Sequence, residues 1–99
     1  EHGALAISLA LRAVPALQEV RLSSHRKMTD VVTDRIGTRL AGIGRDLLWP
    51  RIRLSLDLVY AAVEMALEEP RVDDELIATE TTRQVRAYWT AQLALWLKE

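Results

Sequence analysis

Residues 50–68 read PRIRLSLDLVYAAVEMALE, and this stretch decides the fold class. At about 100° per residue, four of its charged side chains, Arg53, Asp57, Glu64 and Glu68, fall into one narrow stripe. Almost every other position is apolar or small. A helix that is apolar over so wide an arc is buried on two sides. The segment therefore predicts a helix that has a neighbour on each flank. It is predicted to start at Pro50, with Trp49 extended before it, and to run to about Glu68.

The apolar positions of this segment form two sectors that point in different directions. One sector contains Ile52, Leu56, Val59, Val63, Ala66 and Leu67. The other contains Leu54, Leu58, Ala61 and Met65. The remaining helices of a 99-residue chain cannot easily cover both sectors. Pairing of the last two helices with those of a second copy, across a two-fold axis, is the economical solution.

The sequence before this segment predicts two more helices, one over about 4–13 and a longer one over 15–41. Pro15 suits the first position of the longer helix. The apolar face of this helix is predicted to be Leu17, Val20, Met28, Val31, Val32, Ile36 and Leu40. Gly37 inside it indicates a close helix contact or a kink. Gly42 and Gly44 are expected to supply the left-handed conformation that ends helices.

A fourth helix is predicted after Asp73, which is a good N-cap residue. Asp74 and Glu75 follow it in the first turn, where the helix dipole favours negative charge. No stretch of the chain shows the period-two alternation of a half-buried strand. We therefore expect a single domain over 1–99. Its predicted fold is an all-α antiparallel bundle of about four helices that dimerises through the last two.

Composition excludes several classes of function. Thirteen basic and fourteen acidic residues give a net charge of -1, which provides no cationic face for nucleic acid or an anionic membrane. No apolar run approaches the roughly 20 residues of a membrane span. The chain has no cysteine, so a cytoplasmic location is the default expectation. It begins on Glu1 rather than Met, which suggests a fragment of a longer protein.

No residue pattern indicates catalysis or metal binding. His2 and His25 are far apart and have no Glu-x-x-His pair or cysteine beside them. The chain contains neither a G-x-S-x-G elbow nor a glycine-rich phosphate loop. We therefore expect no enzyme activity, no metal and no cofactor, and we interpret His25 as a structural histidine.

A small-molecule pocket needs polar or soft side chains inside an apolar cavity. The candidates for that role are Ser24, Met28, Trp49, Ser55 and Tyr60. Each also has a structural interpretation. Met28 fits ordinary core packing, Trp49 beside Pro50 fits covering of a loop, and the Ser55 hydroxyl fits a bond back to the preceding turn.

Aromatic residues on the last helix indicate an interface. Tyr88, Trp89 and Trp96 share one face, and aromatic anchors are enriched at protein interfaces, although core packing explains them equally well. The residues predicted to form the dimer interface are Leu54, Leu58, Met65, Val85, Tyr88, Trp89 and Trp96.

The order of these segments resembles the C-terminal half of TetR-family transcriptional regulators. The resemblance rests on LSLDLVYAAVEMALEEP (54–70), the acidic loop and VDDELIATETTRQVRAYWTAQL (72–93). Residues 15–36, PALQEVRLSSHRKMTDVVTDRI, are similar to a core helix that borders the ligand cavity in that family. The N-terminal helix-turn-helix that identifies the family is absent from this sequence.

The resemblance implies a regulatory domain that binds a small apolar effector and homodimerises through a four-helix bundle. It also implies that DNA is bound only by a domain outside these residues. The alternative is a helical protein–protein interaction module that encloses no ligand cavity.

Overall fold

The computed structural model describes residues 2–13, 15–40 and 42–98 of the chain. Four helices account for most of them: α1 (His2–Ala13), α2 (Pro15–Gly37), α3 (Arg45–Glu68) and α4 (Asp74–Leu97). No strand occurs in these ranges. The prediction of an all-α fold with about four helices is confirmed.

Helix α3 is the central element, because each of the other three helices packs against it. Contacts between α2 and α3 pair His25 with Tyr60 and Asp30 with Trp49. As the residue number rises in one helix it falls in the other, so the two helices run antiparallel. The pairing of Ser55 with Trp89 and of Arg51 with Trp96 shows the same antiparallel order for α3 and α4.

Helices α1 and α4 differ in the number of helices that they pack against. Helix α1 packs against both α2 and α3, and the Ser8 hydroxyl donates to Glu64 Oε2 at 3.1 Å. Helix α4 packs against α3 alone within the described residues. One long side of α4 and the adjoining surface of α3 therefore have no third helix over them.

Helix α3 begins at Arg45, so the predicted start at Pro50 is wrong. Gly44 caps the helix in an extended conformation, and Trp49, which was expected to be extended, is helical. Pro50 lies inside the helix, where it lacks the N–H that would bond back to the preceding turn. Burial of Leu48 and Ile52, one turn apart, favours the longer helix despite this cost.

The turn before α3 also differs from the prediction. Helix α2 ends at Gly37 rather than near residue 41, since glycine is a poor helix former. Among the described residues, no neighbouring helix comes within 4 Å of the position that a Cβ atom would occupy at Gly37, so no close helix contact occurs there. Gly42 adopts the expected left-handed conformation, with φ of 98°. Gly44 does not, since its φ is -67°.

The start of α4 agrees with the prediction. The Asp73 side chain accepts a hydrogen bond from the backbone N–H of Glu75 at 3.2 Å. The backbone carbonyl of Asp73 accepts the bond from Ile77 N–H. Asp74 and Glu75 occupy the first turn, as expected from the helix dipole.

The buried face of α2 differs in part from the predicted apolar face. Val32, Ile36 and Leu40 of that prediction are half-buried, and the side chain of Leu17 lies outside the described residues. Thr29 and Thr33 are buried against the neighbouring helices, whereas Val20, Met28 and Val31 are exposed on the outer side. The Thr29 hydroxyl donates to the carbonyl of His25 one turn earlier, at 2.7 Å, which satisfies it internally. The Thr33 hydroxyl oxygen is buried and has no hydrogen-bond partner.

The molecule is flat and its fully buried core is small. Its extents are 48 × 32 × 16 Å, and its radius of gyration is 15.9 Å, against about 13 Å for a compact domain of this length. Within the described residues, the apolar side chains that are fully buried are Leu48, Ile52 and Ile77. A single copy of the chain therefore leaves most of its apolar residues in contact with solvent.

Candidate functional site

The contact between α3 and α4 is made by aromatic side chains on α4. The Trp89 indole N–H donates to the Ser55 hydroxyl at 2.8 Å. The guanidinium of Arg51 lies 5.3 Å from the centre of the Trp96 ring, within the range of a cation–π interaction. Trp89 and Trp96 meet edge to face, with ring centres 6.2 Å apart. These contacts fix the register of the two helices.

The seven residues predicted to form the dimer interface separate into two groups. Val85, Trp89 and Trp96 are half-buried beside α3 within the single chain. The other four are exposed and lie along one side of the α3–α4 pair, which we call the outer face: Leu54, Leu58, Met65 and Tyr88.

The outer face is apolar and open. Leu54 has 70% of its surface exposed, the highest value among the large apolar side chains described. Leu58 and Tyr88 line a shallow depression with it. Met65 extends the same stripe, because it follows Leu58 by two helical turns. Within the part of the chain that the structure describes, the Tyr88 hydroxyl donates only to Gln92 Oε1 of its own helix, at 3.4 Å.

The opposite side of the pair forms an open groove of about 670 Å³, which we call the inner groove. Its α3 wall consists of Val59, Ala62, Val63 and Ala66. Its α4 wall consists of Asp74, Ile77, Ala78, Thr81, Thr82, Val85, Arg86 and Trp89. The groove is concave because alanines stand where larger side chains would fill it.

The inner groove was not predicted from the sequence. Val59 and Val63 were assigned to the same sector as Ile52, yet they are 40% and 54% exposed. The recurrence of alanine at 62, 66 and 78 is a signal of a groove. These alanines indicate a groove only if α4 is known to pack beside α3, and a single sequence does not reveal which helices are neighbours.

The five residues predicted to bind a ligand do not line one common cavity among the described residues. Ser24 and Met28 lie on the outer side of α2. The Trp49 indole N–H donates to Asp30 at 2.9 Å, and the Ser55 hydroxyl accepts a hydrogen bond from the Trp89 indole. Tyr60 stacks on His25, with ring centres 4.0 Å apart.

His25 lies in the half of the α2–α3 contact that is remote from the turn between the two helices. Its side chain is only 12% exposed, and its ring is nearly parallel to that of Tyr60, at 7°. Its Nδ1 atom lies 3.5 Å from Asp57, which also pairs with Arg53. Burial lowers the pKa of His25 below its ordinary value of 6.5, and Arg21 and Arg53 lower it further, against the opposing effect of Asp57.

A second polar cluster, which we call the Arg45 clasp, joins the other end of the α2–α3 contact. The Arg45 guanidinium bridges Asp30 and Asp34, which stand one turn apart on α2. Asp30 also accepts from the Trp49 indole. The paired side chains are at least half exposed, so their contribution to stability is modest, on the order of 1 kcal/mol or less per pair.

Within residues 2–13, 15–40 and 42–98, no group of three His, Cys, Asp or Glu side chains is placed to hold a metal ion. Among the same residues, no helix combines the length and apolarity that crossing a bilayer requires. Comparisons with known proteins find no matching family model, no similar curated protein and no similar solved structure.

Proposed function

We propose that the chain is the dimerising regulatory domain of a TetR-type transcriptional regulator. In this proposal, α3 and α4 of two copies form a four-helix bundle, and a small apolar effector changes the arrangement of the dimer. DNA is bound by a domain outside these 99 residues. The observation that carries the proposal is the exposed outer face of the α3–α4 pair, in which α4 packs against α3 alone within the described residues.

The surface area of the chain supports dimerisation. The single copy exposes 7337 Å², whereas a compact monomer of its 11.2 kDa mass exposes about 5,700 Å². The excess of about 1,600 Å² matches one protomer's share of a large homodimer interface, since such interfaces bury roughly 2,000 to 5,000 Å² in total.

The outer face is the better interface of the two sides of the α3–α4 pair. Leu54, Leu58, Met65 and Tyr88 form an apolar stripe, and Arg51 lines the depression at one end of it. A two-fold axis brings this stripe against its own copy, so both partners bury matching surfaces. Helices of four-helix bundles pack through stripes of this kind.

Light scattering on the purified chain tests dimerisation. We expect a mass twice the 11.2 kDa of the chain at micromolar concentration. Leu54→Glu introduces a charge into the centre of the outer face and should yield a monomer. Val20→Glu is the matched control, since Val20 is 60% exposed on α2, away from this face, and should leave the dimer intact. A monomeric wild-type chain would overturn the proposal.

The inner groove supports the effector part of the proposal. Its volume of about 670 Å³ falls within the range of roughly 300 to 1,000 Å³ that is usual for small-molecule sites. Its walls are mainly valine, alanine and isoleucine, so it suits an apolar molecule. A dimer formed through the outer face leaves this groove open.

A thermal-shift screen with small apolar compounds tests effector binding, because a ligand of the folded state raises the melting temperature. Ala62→Leu fills the inner groove and should abolish the shift given by any compound found. Ala87→Leu adds the same bulk on an exposed part of α4 that does not line the groove. This variant should retain the thermal shift. If both variants respond alike, the groove is not the binding site.

The second candidate function is a helical interaction module whose outer face binds a different protein. The dispersal of Ser24, Met28, Trp49, Ser55 and Tyr60 over separate surfaces favours it. This candidate predicts a monomer in light scattering and no hit in the compound screen. The two candidate functions therefore give opposite results in the same two experiments.

A further inference from the structure

The two ends of the α2–α3 contact are held by different chemistry. Near the turn, the Arg45 clasp joins the helices through carboxylates, a guanidinium and an indole, and it contains no histidine. Further from that turn, His25 of α2 lies against α3 and stacks on Tyr60. Histidine is the side chain whose ordinary titration falls between pH 5 and 8.

The surroundings of His25 disfavour a positive charge on its ring. Arg21 on α2 and Arg53 on α3 are cations that act on it. Among the described residues, Asp57 on α3 is the carboxylate that acts on it, and the same Asp57 oxygen already pairs with Arg53. Tyr60 contributes a neutral ring. The side chains of α1 that the structure describes, residues 3–9, carry no charge.

We propose that His25 is a proton-sensitive latch, which holds the N-terminal half of α2 on α3 when neutral and releases it when protonated. The Arg45 clasp keeps the C-terminal half of α2 in place over the same pH range. Acidification therefore opens one end of the α2–α3 contact around the other. This inference does not depend on dimerisation or on an effector.

The direction of the effect follows from proton linkage. The unfolded or opened chain binds the His25 proton with the ordinary pKa of 6.5, and the closed chain binds it with a lower pKa. Between these two values the opened state carries more protons, so the closed state gains stability as pH rises through this window. The contribution of His25 to the stability of the closed state is fully present above pH 6.5, falls as pH decreases through the window, and levels off below the lower pKa.

The test combines proton NMR of the histidine rings with amide hydrogen exchange of the 99-residue chain. We expect the His25 ring to titrate below 6.5. After correction for intrinsic exchange chemistry, protection of residues 18–29 should fall between pH 7.5 and pH 5.5. Protection of residues 45–52, beside the clasp, should change less.

Two variants separate the latch from general acid sensitivity. His25→Phe keeps a ring for stacking on Tyr60 and removes the titration, so its residues 18–29 should stay protected at pH 5.5. His2→Gln removes the other histidine and should leave the wild-type response unchanged. A His25 pKa at or above 6.5 in the wild type, or an equal loss of protection in His25→Phe, would overturn the proposal. The wild-type measurement decides even if the Phe variant does not fold.

Discussion

Two buried threonines on α2 differ in one respect. The Thr29 hydroxyl donates to the carbonyl of His25, whereas the Thr33 hydroxyl oxygen is fully buried without a partner. A buried polar group that lacks a hydrogen bond costs roughly 1 to 3 kcal/mol in stability. These two positions, one turn apart on the same helix, therefore make a matched pair for mutation.

We expect Thr33→Val to raise the free energy of unfolding by roughly 1 to 2 kcal/mol, because it removes the unpaired hydroxyl and keeps the branched shape. Thr29→Val removes a hydroxyl that is already bonded, so it should be neutral or slightly destabilising. Urea denaturation of both variants at one protein concentration measures the difference. An equal response of the two would show that Thr33 has a partner in solution, such as a water molecule.

In helix α3, tertiary packing overrides the local preference of Pro50 for the first position of a helix. Pro50 predicts a helix start because proline favours the first position. In the structure the helix begins at Arg45, after the Gly44 cap, and continues through Pro50 to Glu68. Leu48 and Ile52, on either side of the proline, are both buried. The proline therefore leaves the Asp46 carbonyl without its usual donor from the residue four positions later.

We expect Pro50→Ala to stabilise the chain by roughly 1 to 3 kcal/mol, since it restores that donor and Pro50 is itself exposed. Greater freedom of the unfolded chain offsets part of this gain. Pro15→Ala is the control: Pro15 occupies the first position of α2, where no such bond is lost, so its effect should be near zero or slightly unfavourable. Thermal and urea unfolding check both.

The sequence predicted the helices better than it predicted their facing surfaces. The period of residues 50–68, the prolines and the Asp73 cap identified four helices, because these signals are local. The burial of Thr29 and Thr33 in place of Met28 and Val31 was not predicted, because apolar residues occupy both sides of α2. The His25–Tyr60 stack joins residues of two different helices, so no spacing along the chain signals it.

At the scale of the whole molecule, the flat shape of the chain has a thermodynamic consequence. With three fully buried apolar side chains among the described residues, a single copy has a small core for its length. Stability that comes from a second copy depends on protein concentration by mass action. The isolated chain should therefore be less stable than a typical domain of this size.

We expect the melting temperature of the wild-type chain to rise as its concentration is increased from about 1 to 100 μM, because association binds the folded state. The melting temperature of Leu54→Glu should not change over the same range of concentration, and it should lie below that of the wild type. Calorimetry at several concentrations measures both. A melting temperature that is independent of concentration in the wild type would contradict the dimer.

The three tryptophans of the chain are distributed between two of its helix contacts, α2–α3 and α3–α4. Trp49 bonds to Asp30 at the turn between α2 and α3, while Trp89 and Trp96 lie on α4 beside α3. Variants that retain one indole at a time would convert each contact into a separate fluorescent reporter. Emission from Trp89 would follow filling of the inner groove, and emission from Trp49 would serve as an internal reference for the Arg45 clasp during acidification.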